Sequence, residues 1–269
     1  MMCRLKYMFA VSAMCVCIAM TASDGWVLQS TLAVKCNAVE VDALDNIYFL
    51  YDDHLELRRS QDLEVRRISL LEYGSAYILD VTNPLKPFLF FASQGVVIYL
   101  DNMLSPQGQA IHLQEMGLEQ IEVMSGSRGD HFWLWDAAQN ELLRVDQQFQ
   151  IRLRTGNLAA RLGKALRVQR IIESEQDVML QTSAGDLTLL DIYGTYKTNV
   201  TLSAQQFVSA HASALTWIGG DSLHVLSLLN LQETTEILPL AAQRQAFLRG
   251  KRVYLYDGAQ LRCYAKDGR

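Results

Sequence analysis

The chain has 269 residues, of which 50% are hydrophobic, 20% charged and 9% aromatic, with a formal net charge of −5. That composition excludes a disordered, collagen-like or disulfide-dense chain, and the length suffices to bury a sizeable core. A pI near 5.6 also excludes nucleic acid as a main partner, because phosphate binding needs a clustered basic surface.

In chain order, the first element is a targeting segment. Arg4 and Lys6 supply a basic start, Met8 to Met20 is an almost unbroken apolar run, and Thr21, Ala22 and Ser23 are small. This three-part layout predicts a secretory signal peptide over residues 1–23, cleaved near Ser23. The apolar run of about 13 residues is shorter than the ~20 that a permanent bilayer span needs. Cys15 and Cys17 raise a lipoprotein reading, which Met14 and Val16 disfavour. No later segment is long and apolar enough to span a membrane, so soluble export to the periplasm or cell envelope is expected. Of the five cysteines, Cys36 and Cys263 then remain. An oxidising compartment makes them a candidate disulfide, with two buried free thiols as the alternative.

After a strand-like run from Gly25 to Val34, the chain becomes repetitive. Units open at Ala38, Ala76, Ile121, Ile171, Phe207 and Ala246. Each holds a short apolar strand, a polar turn, a strong strand, a tight turn and an alternating third strand. The strong strands begin near Ile47, Phe88, Phe132, Val178, Leu215 and Val253. They recur roughly every 40 residues, the period of β-propeller blades. They are rich in Ile, Val, Phe, Tyr and Trp, which fit a pleated surface, and Asp, Asn, Gly and Ser fill the turns that follow. Pro84 and Pro87 fall together in one inter-strand turn, where no ladder donor is needed. Between the third and fourth units lies the one helical pattern, Asn157 to Arg170. There a helix would gather Arg161, Lys164, Arg167 and Arg170 on one flank, a candidate contact for an acidic partner surface, with Leu158, Leu162 and Leu166 on another. The alternative is a solvated connector whose leucines cap a blade core.

The sixth unit ends too early for a fourth strand, because only Ala265 to Arg269 follow Tyr264. A propeller must close its ring, and the unassigned N-terminal run supplies the missing strand. The expected architecture is therefore all-β: one six-bladed propeller over residues 24–269, with Trp26 to Leu32 as the outer strand of the last blade.

No catalytic motif stands out. The five histidines, His54, His112, His131, His211 and His224, include no metal-ligand spacing. His131, after Asp130, and His211 stand where they could approach a central channel. The turn carboxylates Asp45, Asp101, Asp130, Asp146, Asp177, Asp191 and Asp221 are expected to close turns through side-chain-to-backbone bonds. Arg128-Gly129-Asp130 reads as an inter-strand turn. No nucleophile elbow, phosphate loop or calcium loop is present, and no cofactor is implied.

The units resemble NHL-type six-bladed propeller repeats, most closely in the stretch from Trp133 to Ile151, "WLWDAAQNELLRVDQQFQI". The stretch from Asp42 to Arg59, with the run from Val81 to Leu113, is similar to exported Bacteroidota proteins associated with the outer-membrane type IX secretion system. That resemblance implies a periplasmic structural or gating role beside an outer-membrane complex, and it carries over no functional residue. The expected function is a non-catalytic, protein-binding scaffold. The rival is a metal-dependent, lactonase-like propeller hydrolase, which would need carboxylate, Asn or His groups converging at the channel mouth.

Overall fold

Short apolar strands separated by tight turns cannot each bury two faces alone, and the chain resolves this by stacking them as blades. The computed structural model describes residues 25–61, 64–74, 77–201, 208–211, 214–230, 232–239 and 245–266. The expected signal peptide lies outside them. Strand β1 (Trp26–Ala33) precedes the first blade, formed by β2 (Ala38–Val41), β3 (Ile47–Leu50), β4 (His54–Arg58) and β5 (Val65–Ser69). Blade 2 holds β6 (Ile78–Asp80), β7 (Phe88–Phe91), β8 (Val96–Tyr99) and β9 (Ile111–His112). Blade 3 holds β10 (Ile121–Ser127), β11 (His131–Asp136), β12 (Glu141–Val145) and β13 (Ile151–Arg154). Helix α1 (Leu158–Leu162) leads to blade 4, with β14 (Val168–Glu173), β15 (Asp177–Thr182), β16 (Asp186–Asp191) and β17 (Tyr196–Thr201). Blade 5 holds β18 (Val208–His211), β19 (Ala214–Gly219), β20 (Ser222–Ser227) and β21 (Glu233–Ile237). Blade 6 holds β22 (Gln245–Arg249), β23 (Arg252–Tyr256), β24 (Gln260–Lys266) and, at its edge, β1.

The protein is thus a six-bladed β-propeller. The first strand of each blade lines the channel, where β2 meets β22, β6 meets β10, β10 meets β14 and β14 meets β18. The ring closes as the leftover strand requires. Strand β1 pairs antiparallel with β24 from Trp26↔Lys266 to Ala33↔Gln260, with a bulge between Leu28 and Ser30. That pairing covers an edge that would otherwise present unmatched backbone groups.

The core lies in the six seams between blades. Tyr48, Leu57, Leu89 and Phe91 join blades 1 and 2; Phe90, Met124, Leu134 and Leu143 join blades 2 and 3. Trp133, Trp135, Val178 and Leu180 fill the next seam, followed by Met179, Leu189, Leu215 and Trp217 between blades 4 and 5. Ile218, Leu255 and Trp26 join blades 5 and 6, and Val39, Phe49, Phe247 and Tyr256 close the circle. Because each sheet is covered on both faces, second strands read as continuous apolar runs; Phe88 to Phe91 are all buried. Each large apolar side chain so enclosed contributes about 1.5–3 kcal/mol of transfer free energy.

One turn device recurs. The Oδ1 atoms of Asp42, Asp101, Asp146 and Asp191 each accept from the backbone N–H groups two and four residues ahead. The residue three ahead is left-handed in every case: Asp45 (φ 61), Leu104 (φ 63), Phe149 (φ 57) and Gly194 (φ 78). At Gly194 the glycine is doubly required, because a Cβ there would stand 2.7 Å from Thr155 Cγ2. The turn role expected of Asp101, Asp146 and Asp191 is what these bonds perform.

Candidate functional site

Inner strands set what the channel holds. Glu40 on β2 stands within electrostatic reach of Arg170 on β14, Arg249 on β22 and Asp80 on β6. Burial pushes the Glu40 carboxyl above the ordinary carboxylate range, against the opposing pull of the two arginines. Burial likewise lowers the Arg249 pKa. Arg249 donates from Nε and Nη2 to the Val41 carbonyl at 2.9 and 2.5 Å. Opposite charges from different blades are thereby balanced inside the ring.

A second feature opens between blades 2 and 3. A cavity of about 60 Å³ is lined by the β6–β7 turn with Asp80, Asn83 and Lys86, by the β10–β11 turn with Asp130 and His131, and by Phe88, Tyr99 and Phe132. Asp80 ties the two blades together, since its Oδ2 accepts from Gly126 N at 2.8 Å. The aromatic wall is compact, with Phe88 and Phe132 edge-to-face at 5.6 Å between centroids. Lys86 Nζ sits 4.6 Å from the centre of the Tyr99 ring, a cation–π distance. The Tyr99 hydroxyl is buried and has no hydrogen-bond partner among the described residues. Burial, then the nearby Asp130 carboxylate, drive its pKa far above the ordinary tyrosine range. Asp130 itself is held left-handed at φ 58, a conformation that Asp tolerates better than most residues.

The residues singled out from the sequence are dispersed. Helix α1 stops at Gly163, which is left-handed, after an Asn157 cap whose Oδ1 accepts from Ala160 N. Only Arg161 of the four cations therefore lies on the helix. Lys164 reaches Asp186 at 3.6 Å, Arg167 is exposed in the connector, and Arg170 has passed onto β14 and turned to the channel charges. The single cationic flank does not form, because glycine ends the helix a turn too soon. Leu158 and Leu166 are buried in the seam between blades 3 and 4, as the capping alternative requires.

Cys36 and Cys263 share the seam between blades 6 and 1, are both buried, and are not joined by a disulfide. Cys36 Sγ donates to the Tyr256 hydroxyl at 3.4 Å. Cys263 lies opposite Tyr254, two residues along β24 from Leu261, the partner of Tyr256. Each thiol is directed to a different tyrosine and not to the other.

Among the histidines, His54 stacks on Tyr51 at 4.2 Å and His224 on Trp217 at 5.0 Å. His112 is exposed at the end of β9, and the side chain of His211 lies outside the described residues. His131 lines the cavity between blades 2 and 3. Among the described residues, no group of three His, Cys, Asp or Glu side chains stands as metal ligands would.

Alternating strand direction puts the first-to-second and third-to-fourth turns of every blade on one face of the disc. That face carries the cavity mouth and four large exposed apolar side chains at its turn tips. They are Leu44 (48% exposed), Leu85 (67%), Tyr193 (74%) and Leu229 (80%). The opposite face carries Leu71 and Met116. No helix among the described residues is long and apolar enough to cross a membrane.

No family model and no curated protein matches the chain. Solved structures do. Virginiamycin B lyase from Staphylococcus aureus aligns over 89% of this chain and 99% of its own, with 10% identity and a TM-score of 0.57. A chain of the mitotic checkpoint complex aligns over 97% of this chain and 99% of its own, with 9% identity and a TM-score of 0.60. PorZ, an essential bacterial surface component of the type IX secretion system of Porphyromonas gingivalis, aligns over 91% of this chain but 39% of its own, with 9% identity and a TM-score of 0.50. At these identities the likeness is one of fold.

Proposed function

We propose that the chain is an exported, non-catalytic scaffold that binds protein in a periplasmic or envelope assembly, in the service of secretion. The observation that carries this reading is the set of exposed apolar turn tips, Leu44, Leu85, Tyr193 and Leu229, presented on one face of a rigid disc. Exposed apolar side chains held at fixed spacing suit a partner surface, since ordering them costs little and burying them on contact is favourable. The channel charges support the same reading, because Glu40, Arg170 and Arg249 offset one another across the ring. PorZ lends a precedent for a propeller fold within a secretion system.

The test is cross-linking and capture from the native envelope with the wild-type chain and with Leu85→Glu, Tyr193→Glu and Leu229→Glu. Loss of the captured partner in these variants, with the fold intact by circular dichroism, is the expected result. Unchanged capture, or metal-dependent lactone or ester hydrolysis by the purified chain, would sink the proposal.

A further inference from the structure

The cavity between blades 2 and 3 is not explained by holding the ring together, and its chemistry is specific. Lys86 and Asp130 line the same small space, yet they form no ion pair with each other or with any other side chain among the described residues. Tyr99 contributes a buried hydroxyl with no partner. His131 Nδ1 lies 2.7 Å from the Gly129 carbonyl. A carbonyl only accepts, so Nδ1 carries the proton, and Nε2 of the neutral ring is left as an acceptor. Two donors, the Lys86 ammonium and the Tyr99 hydroxyl, and two acceptors, Asp130 and His131 Nε2, therefore stand without hydrogen-bond or ion-pair partners among the described residues, beside a wall made by Phe88 and Phe132.

An unpartnered buried hydroxyl costs about 1–3 kcal/mol. Lys86 and Asp130 stand exposed at the mouth of the same cavity without pairing to each other, and a ligand bearing both signs would engage both while giving the Tyr99 hydroxyl a partner. We infer that this cavity binds a small zwitterion, a free α-amino acid. Its carboxylate is taken by Lys86 and Tyr99, its ammonium by Asp130 and His131, and a small apolar side chain rests on the two phenylalanines. The volume of about 60 Å³ restricts the ligand to the smallest amino acids, glycine and alanine. The inference extends beyond scaffolding: a disc that binds protein on this face would carry a small-molecule site at the mouth of one seam.

Isothermal titration of the mature chain with glycine and L-alanine tests it, beside alanine methyl ester and N-acetylalanine, each of which lacks one charge. Saturable binding of the zwitterions is expected, with affinity for either one-charge analogue weaker by about tenfold or more. Lys86→Met, Asp130→Asn and Tyr99→Phe are expected to weaken binding by a similar factor. Asparagine preserves the left-handed backbone at position 130, and removing the unpartnered hydroxyl at position 99 leaves thermal stability unchanged or raised. The inference is overturned by the absence of saturable heat with any zwitterion, by equal binding of the one-charge analogues, or by variants that stay folded and bind as the wild type does.

Discussion

The seam between blades 6 and 1 and the seam between blades 2 and 3 use similar residues to opposite ends. In the closing seam several polar groups reach across to partners far away in sequence. Tyr256 Oη accepts from Cys36 N and donates to Cys36 O, both at 3.0 Å. Gln245 Oε1 accepts from Val39 N at 2.8 Å, and Arg249 clasps the Val41 carbonyl. Arg252 and Tyr254 both hold Asp45, at 2.6 and 2.8 Å. In the other seam Asp80 is the one side chain among the described residues seen to bond across the blades, while the Tyr99 hydroxyl is buried without a partner beside a cavity whose mouth carries the exposed Lys86 and Asp130. The contrast separates two uses of buried polarity. Satisfied groups fix the register between blades, and an unsatisfied one beside a cavity leaves a bond that a ligand could make.

The largest way to break this comparison is to remove the closure. A chain lacking residues 25–33 should lose its single cooperative unfolding transition, because blade 6 is left with an open edge; calorimetry showing one sharp transition would mean that β1 is dispensable. Next comes the pair of tyrosines. Tyr256→Phe should cost about 1–3 kcal/mol, since it strands the Cys36 backbone groups, whereas Tyr99→Phe should cost nothing. Equal losses for both in urea titrations would erase the distinction between the seams. A third change lies at a seam away from both. Gly194→Ala should destabilise by about 1–3 kcal/mol, through positive φ and the clash with Thr155, and a stability within error of wild type would contradict it. The smallest expected effect is a pH dependence within blade 1. Burial raises the Glu56 pKa, but Arg67 and Arg58 outweigh it and the net shift is downward. A lowered folded pKa gives stability that is present above the unfolded value and lost as pH falls through the folded one. Glu56→Gln should therefore flatten the loss of stability below about pH 4.3, and an unaltered acid limb in melts of that variant would exclude it.

Much of the fold was legible in the sequence, for identifiable reasons. Runs such as Phe88 to Phe91 betray strands buried on both faces, and the orphan stretch around Trp26 beside a truncated sixth unit implied closure. The sites were less so. The spacing of Arg161 to Arg170 imitates a helix, but Gly163, sitting at its end, is the stop signal that divides those cations. Asp130 and His131 could be picked out as near the channel. That they meet Lys86 and Tyr99 depends on how blade 2 rotates against blade 3, which no local pattern encodes. The shared Asp turn was visible as carboxylates in loops, yet its left-handed third successor is hidden at Leu104 and Phe149. There, burial of the side chain offsets the backbone strain in place of glycine.

The pairing of β1 with β24 sets an order of events. Strand β1 is made before the strands of blades 1 to 5 and β24 after them, so five blades can assemble while the sixth waits. Closing so long a loop carries an entropic cost that grows only slowly with length, but the contact is among the most non-local a chain of this size can form, and such contacts form late. Until Lys266 arrives opposite Trp26, the molecule is an open arc with two sticky ends, able to join a neighbour's as readily as its own. Fidelity of the ring is thus a kinetic matter, decided by whether the two ends of one chain meet before those of two chains do.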